Sequence, residues 1–277
     1  MDVLRDRPII DCSMIGEPGR IVPYEGINSV ELTEIRDILE TKCVQPVEDG
    51  GKVKEIRFRS NKEHTHGVIT VLAKKNRRDP FIERIRRVGW DGKERLENFL
   101  KNIGCSARLS DENKEYAYLA FVSRGIFLSV LERHLDANGV PTDGDYEPIK
   151  FVPVLIGEQD TGKSTLCRKI GLDQSGWYRA TNVSFDQKQK FYEGVQGGVI
   201  VELKEGTQMM RDSAESLKAF TDETRLQYRK PYAVDATSGM KINFTMIVTT
   251  NNETILKDDT GNTRFYPVYM SRQPDGY

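Results

Sequence analysis

Residues 157–164 have the sequence GEQDTGKS, which matches the pattern GxxxxGK[ST]. The apolar run Phe151–Ile156 ends directly before this motif, and a helical pattern, Lys163–Ile170, begins within it and stops at Gly171. A buried strand, a glycine-rich turn and a helix in this order are typical of the phosphate-binding loop of nucleoside triphosphatases. The motif requires a strand and a helix to meet at an anion site, so it restricts the fold more than any other feature of the chain.

Each residue type in the motif has a physical role. Gly157 and Gly162 let the backbone turn tightly, so that successive N–H groups point at a phosphate. We expect Lys163 to reach the β- and γ-phosphate oxygens and the Ser164 hydroxyl to ligate Mg²⁺. The predicted cofactors are therefore ATP and Mg²⁺. The predicted nucleotide-binding residues are Gly157, Glu158, Gln159, Asp160, Thr161, Gly162, Lys163, Ser164 and Thr165.

A second buried strand is predicted at 198–203, and it ends in acidic residues. Hydrolysis at a phosphate-binding loop needs a carboxylate at the end of a neighbouring strand, next to the metal and the attacking water. Glu202 and Glu205 are three residues apart, so on an unbroken strand they face opposite sides of the sheet. We assign Glu202 to Mg²⁺ and Glu205 to water activation. The alternative is a strand terminus held by salt bridges.

A third apolar strand is predicted at 242–249, and its polar end is TTNN at 249–252. In ATPases with an extra strand between the loop strand and the acidic strand, this position senses the γ-phosphate. Asn251 is the first choice for that role, followed by Thr250 and Asn252. The alternative is an Asx turn.

Strands that alternate with helices predict an α/β fold with a mainly parallel central sheet. Upstream, the pattern predicts a mostly helical region. The predicted domains are a small N-terminal α+β region at 1–80, a helical domain at 81–146 and a nucleotide-binding domain at 147–277. The upstream elements predicted by periodicity are a strand at Lys54–Arg59 and helices at Val30–Thr41, His66–Lys75, Phe81–Val88, Lys93–Ile103 and Glu112–Leu135.

Composition narrows the class of protein. No run approaches the roughly 18 apolar residues of a membrane span, and no apolar block follows the first residues, so we expect a cytoplasmic protein. Four cysteines lie far apart in sequence, which favours reduced thiols over disulfides or a zinc site. Residues 51–101 contain fifteen Lys or Arg and seven Asp or Glu, although the net charge of the chain is −1. This basic stretch is either a solvated helical surface or a surface that binds a polyanion such as DNA.

Several motifs in order resemble the virulence-associated protein E family, whose members are similar to superfamily 3 helicases and to the helicase halves of phage and plasmid primase-helicases. The resemblance covers roughly residues 76–270. The motifs that carry it are GWDG at 89–92, the loop at 157–164, VELKE at 201–205, LKAF at 217–220, YRKPY at 228–232, TTNN at 249–252 and GNTRF at 261–265.

The resemblance implies a DNA-dependent ATPase that forms a ring, with a hexamer expected, and that binds single-stranded or forked DNA during phage or mobile-element replication. Arg264 matches the arginine that such proteins direct at the nucleotide of a neighbouring subunit. The segment 227–243 matches the place of a DNA-tracking β-hairpin, which here offers Arg229, Lys230 and Lys241. Residues 1–80 show no primase-like set of carboxylates. Two other functions stay open: an ATP-dependent switch or origin-binding module without unwinding activity, and a P-loop small-molecule kinase.

Overall fold

The computed structural model describes residues 9–11, 21–23, 33, 36–37, 44–49, 52–57, 79–141, 146–172, 176–183, 187–204, 217–226, 240–253 and 262–271. The chain divides into two compact units, residues 1–79 and 80–277. Among the helices that the structure describes, none has both the length and the apolar character needed to cross a membrane. Cys105 and Cys167, the two described cysteines, are buried free thiols.

The described residues of the first unit form two antiparallel strand pairs. Strand β1 (Ile9–Asp11) pairs with β2 (Ile21–Pro23), and β3 (Val44–Asp49) pairs with β4 (Lys52–Arg57). The predicted strand at 54–59 is confirmed with bounds two residues earlier. The predicted helix at 66–75 and most of the one at 30–41 lie outside the described residues, so a mostly helical N-terminal region stays a prediction.

The second unit opens with helices α1 (Pro80–Val88), α2 (Phe99–Asn102) and α3 (Glu112–His134). The carboxylate of Asp111 caps α3, because it accepts hydrogen bonds from the backbone N–H groups of Asn113 and Lys114 at 2.9 and 3.1 Å. Apolar side chains at helical spacing bury one face of α3. The helices predicted at 81–88 and 112–135 are confirmed within one residue at each end.

The helix predicted at 93–103 is wrong over its first half, since α2 begins only at Phe99. The side chain of Asp91 explains the difference. It accepts hydrogen bonds from the backbone N–H of Lys93 at 3.1 Å and from the guanidinium of Arg95 at 2.8 and 2.7 Å. These bonds hold the chain in a local turn that competes with helix formation.

A six-stranded sheet forms the centre of the second unit. The remaining elements of this unit are β5 (Cys105–Ser106), β6 (Val152–Ile156), α4 (Lys163–Ile170), β7 (Tyr178–Thr181), α5 (Lys188–Val195), β8 (Ile200–Leu203), β9 (Arg225–Leu226), β10 (Met240–Lys241), β11 (Thr245–Thr250) and β12 (Phe265–Met270). The strand order in the sheet is β5-β12-β6-β11-β8-β7. Strands β12, β6, β11, β8 and β7 run parallel, and the two-residue strand β5 is antiparallel at one edge. The predicted α/β fold with a mainly parallel sheet is confirmed.

Each face of the sheet is covered by different helices. On one face, Phe191 and Val195 of α5 join Leu217 and Phe220 in a core with alternate residues of β6, β8 and β11. On the other face, Ser129 of α3 is hydrogen bonded to Thr245 of β11 at 2.9 Å. Helix α3 therefore packs on the sheet. The domain boundary predicted between residues 146 and 147 stays a prediction.

Strand β11 and the four residues before it form one buried segment. All residues from Lys241 to Thr250 are buried. The strand predicted at 242–249 begins only at Thr245, because the backbone N–H of Ile242 donates to the Thr224 carbonyl at 3.0 Å and the Asn243 carbonyl lies 2.9 Å from Nε2 of His134. These bonds divert the chain out of the sheet ladder, and β11 then continues to Thr250.

Candidate functional site

The glycine-rich loop lies at the carboxyl edge of the sheet, between β6 and α4. A Cβ atom at Gly157 would collide with the Met270 carbonyl oxygen, so only glycine fits there. Gly162 has φ +88° and forms the N-cap of α4, a conformation that L side chains rarely adopt. Because the N-cap residue has no side chain, it makes no capping hydrogen bond to the first N–H groups of the helix.

The ammonium group of Lys163 is folded into the loop. It donates to the carbonyl oxygens of Gly157 and Glu158 at 2.8 and 2.6 Å, and it lies 3.3 Å from Oγ1 of Thr161. Burial lowers the pKa of Lys163, and the nearby carboxylates of Asp160 and Glu202 oppose that shift. Among the described residues, no carboxylate forms an ion pair with Lys163, so its charge is available to an anion in the loop.

The carboxylate of Glu202 is fully buried and collects hydroxyl groups from three elements. Its Oε1 accepts from Ser164 of α4 at 2.6 Å and from Thr249 of β11 at 2.8 Å, and its Oε2 accepts from the Tyr178 hydroxyl of β7. Burial and the bond to Glu202 raise the pKa of Tyr178, so the phenol keeps its proton and donates. The predicted metal pair, Ser164 and Glu202, is therefore brought into contact.

Carboxylate and hydroxyl oxygens are the donors that Mg²⁺ takes in proteins, usually together with phosphate oxygens and water. The residues present fit that ion at Ser164 and Glu202. Glu205, the second acidic candidate, lies outside the described residues.

Strand β11 lies between β6 and β8, as the assignment of a sensor residue requires. The backbone N–H of Gly157 donates to the Thr250 carbonyl at 3.2 Å, which ties the loop to the end of β11. Asn251 is exposed at this end, and Oγ1 of Thr250 accepts from the backbone N–H of Asn252 at 3.0 Å. The loop, Glu202 and these residues together border a cleft of about 900 Å³, within the ~300–1,000 Å³ of ligand pockets.

Arg264 lies away from this cleft. It immediately precedes Phe265, which pairs with Val152 at the amino end of β6, whereas the loop follows the carboxyl end of that strand. At ~3.3 Å per residue, the two ends of the five-residue strand are roughly 13 Å apart. The guanidinium donates to the Lys218 carbonyl and to Thr221 Oγ1 (2.8 Å), and it forms an ion pair with Asp222 at 3.0 Å.

The predicted DNA-binding residues are only partly described. Strands β9 and β10 pair antiparallel and enclose residues 227–239 of the segment 227–243, for which a hairpin is predicted. Arg229 and Lys230 lie outside the described residues. Lys241 is buried at 7% exposure, with its ammonium 5.4 Å from the centre of the Tyr146 ring. Its burial argues against the exposed phosphate contact predicted for it.

Two site residues, Tyr178 and Thr249, were missed by the sequence analysis. Strand β7 was not predicted, although Trp177–Thr181 is rich in aromatic and β-branched residues and follows Gly176. Thr249 could have been found by alternation, because it is two residues beyond Ile247, which pairs with Glu202.

Comparison with models of known protein families identifies the family of this chain. The family model of the virulence-associated protein E-like domain matches residues 85–275, which is more than half of the chain. The chain belongs to this family. The resemblance inferred from the ordered motifs is therefore confirmed.

Solved structures similar to this virulence-associated protein E-like chain include apo structures of the C-terminal region of NrS-1. One is matched over 98% of this chain and 58% of the other, with 12% identity and a TM-score of 0.47. The A form of that region gives the same coverage and identity with a TM-score of 0.46. A further A-form structure, of residues 305–718, is matched over 45% of this chain and 29% of the other, with 16% identity and a TM-score of 0.34. The chain thus spans less than two thirds of these neighbours, and no curated protein matches it.

Tyr178 gives the first testable prediction for this virulence-associated protein E-like domain. Tyr178→Phe removes one of the three hydroxyl donors that orient Glu202, and loss of such an outer partner costs about 10–100-fold in activity at metal sites. If the cleft hydrolyses Mg²⁺-bound ATP, the function proposed below, ATP binding should be unchanged and ATP turnover at saturating Mg²⁺ should fall by about tenfold. Steady-state phosphate release and nucleotide titration measure the two effects.

The matched control is Tyr118→Phe, which removes a phenol that donates to the Pro267 carbonyl at 3.0 Å, outside the cleft. It should cost similar thermal stability and leave turnover unchanged. Equal turnover in the two variants would show that Tyr178 does not position Glu202.

Proposed function

We propose that this chain is a P-loop ATPase that hydrolyses Mg²⁺-bound ATP and acts on DNA as a helicase-type motor in phage or mobile-element replication. The observation that carries the proposal is the contact of Ser164 with the buried Glu202, directly beside a loop that encloses the Lys163 ammonium. A cation, the N–H groups of a helix N-terminus and a hydroxyl–carboxylate pair at one strand edge are what a Mg²⁺-triphosphate needs.

Each residue has a separate task in the proposed reaction. Lys163 leaves the Gly157 and Glu158 carbonyls for the β- and γ-phosphates, and the N–H groups at the start of α4 bind the β-phosphate. Ser164 and Glu202 would hold Mg²⁺, and the ion would neutralise charge on the phosphates. Asn251, at the exposed end of β11, orients the attacking water, and Glu205 accepts its proton.

The DNA-binding part rests on the family and on one structural element. Pairing of β9 with β10 supports a hairpin at 227–239, and Arg229 and Lys230 are placed within that segment by the sequence. The buried Lys241 stabilises the base of the hairpin in this proposal and does not contact DNA. Arg264 lies at the edge of the sheet opposite the cleft. We therefore expect the chain to form a ring of six copies, in which Arg264 of each subunit contacts the nucleotide of its neighbour.

The direct test is steady-state ATP hydrolysis with and without single-stranded DNA, beside a screen of small phosphate acceptors. Hydrolysis stimulated by DNA supports the proposal. Binding without turnover indicates the ATP-dependent switch, and phosphate transfer to an acceptor indicates the kinase. Strand separation on a forked duplex then tests unwinding.

DNA affinity provides a second prediction. Arg229→Ala combined with Lys230→Ala should weaken single-stranded DNA binding and reduce the slope of log affinity against log salt, by about 0.7 for each phosphate that the variant no longer neutralises. Fluorescence anisotropy across a salt series measures both quantities. The control is Lys114→Ala combined with Lys190→Ala, which removes two exposed helix charges elsewhere. If both double variants lose affinity equally, the effect reflects net charge and the hairpin does not bind the DNA.

A further inference from the structure

The residues that border the cleft leave it short of positive charge. Asp160, Glu202 and Glu253 outnumber Lys163 and Lys204, so the described lining carries one net negative charge. A bound triphosphate adds several more. Mg²⁺ offsets part of this excess, and a further cation close to the cleft would offset more of it.

The loop after β5 presents one such cation, Arg108. Ser106, the last residue of β5, pairs with Tyr269, one residue before the carboxyl end of β12, so the loop starts near the edge of the sheet that holds Gly157. Arg108 has φ +56°, an uncommon conformation for a residue other than glycine. Such backbone persists only where the surrounding structure imposes it.

The carboxylate of Glu115, on α3, imposes it. Glu115 accepts hydrogen bonds from Ser106 Oγ at 2.7 Å and from the backbone N–H groups of Ala107 and Leu109 at 3.0 and 2.9 Å. The backbone N–H of Arg108 donates in turn to Ser106 Oγ at 2.9 Å. Four hydrogen bonds therefore fix the loop, and they leave the Arg108 side chain directed outward.

The guanidinium of Arg108 reaches the rim of the cleft. It lies 4.0 Å from the centre of the Tyr269 ring and donates to Oε1 of Glu253 at 2.8 Å. Both side chains of this ion pair are 55% exposed. The hydrogen bond from Arg108 lowers the pKa of Glu253, so the carboxylate is ionised at neutral pH.

We propose that Arg108 is a further nucleotide-binding residue, which exchanges Glu253 for the terminal phosphates of a nucleoside triphosphate in the same cleft. The inference rests on the proposed ATPase function. An exposed ion pair contributes little to folding, so the guanidinium can leave Glu253 at small cost. A triphosphate attracts it more strongly than one carboxylate does, and stacking on Tyr269 keeps it at the rim throughout.

The exchange predicts opposite effects for the two partners. Arg108→Ala should weaken ATP binding by about tenfold, as expected for one hydrogen bond to a charged group, and should leave AMP binding unchanged. Glu253→Gln removes the competing carboxylate, so ATP binding should tighten. Calorimetric titration of ATP and AMP into each variant, with Mg²⁺ present, measures these affinities.

A purely structural ion pair gives a different pattern, because both substitutions break the same contact and shift affinity in the same direction. Arg95→Ala is the matched control, since it removes an exposed arginine paired with a carboxylate outside the cleft. It should leave the affinities for ATP and AMP unchanged. If wild-type protein binds ATP and Arg108→Ala binds it equally well, or if AMP affinity falls with it, this inference alone is wrong. If wild-type protein binds no nucleotide, both the proposed function and this inference are wrong.

Discussion

Lys163→Ala is expected to reduce ATP hydrolysis by at least about a hundredfold, the usual loss when one preorganised donor to a developing charge is removed. Among the described residues, the ammonium is hydrogen bonded to oxygen atoms of its own loop, at Gly157, Glu158 and Thr161. Its removal should therefore leave the fold intact. Phosphate release at saturating ATP and Mg²⁺, beside thermal unfolding followed by circular dichroism, measures both expectations.

Two further variants sharpen this test. Lys169→Ala removes an exposed lysine from the last turn of the same helix and should retain turnover. Glu202→Gln keeps the size of the side chain while removing its charge, so we expect it to bind ATP and to lose hydrolysis. Normal turnover in a folded Lys163→Ala protein would contradict the proposed ATPase, whereas normal turnover in Glu202→Gln would move the metal ligand to another residue.

Arg264→Ala is expected to lower turnover by about 10³–10⁵, the range of known arginine fingers, without weakening ATP binding. Under the proposed function, Arg264 acts on the nucleotide of the next subunit, because it lies away from its own loop. Lys163→Ala is inactive for the opposite reason, so in mixed rings some interfaces join an intact loop to an intact Arg264. The mixture should hydrolyse more ATP than the two variants measured separately.

The contacts of Arg264 define the competing explanation. Its ion pair with Asp222 and its bond to the Lys218 carbonyl tie β12 to the helical residues 217–221, which is a structural role. Asp222→Asn removes the ion pair and leaves the guanidinium in place. A structural role predicts similar losses of stability and turnover in Asp222→Asn and Arg264→Ala. A trans-acting role predicts that only Arg264→Ala loses turnover and that mixing restores it in a preparation whose subunits exchange.

The elements that were predicted best are those governed by local pattern. Helices α3 and α4 and strand β6 follow from apolar periodicity and from the glycine-rich motif, and their bounds agree within one residue. The helix at 93–98 failed because a single side chain, Asp91, bonds the backbone in a way that periodicity does not register. Strand β7 failed because four residues are too few to show alternation.

The residues of the candidate site that belong to one sequence motif could be predicted. Those that come together from distant segments of the chain were harder to predict. Alternation indicates that only one of Glu202 and Glu205 faces the metal. Which one does depends on the face that α4 covers, and that is a matter of tertiary packing. Thr249 and Tyr178 reach Glu202 from 47 and 24 residues away in sequence. Asp222 is likewise joined to Arg264 only by the folded chain.

The unbroken burial of residues 241–250 has a mechanical consequence. This stretch connects the base of the β9–β10 pair to Asn251 at the nucleotide cleft, and none of its ten residues is exposed. Its amino half is held to α3 through Thr245 and Asn243, and its carboxyl half is held to Gly157 through the Thr250 carbonyl. A tightly packed strand has no slack with which to absorb a displacement. We therefore expect a displacement of Thr250 at the cleft to be transmitted to the β9–β10 pair rather than absorbed within residues 241–250.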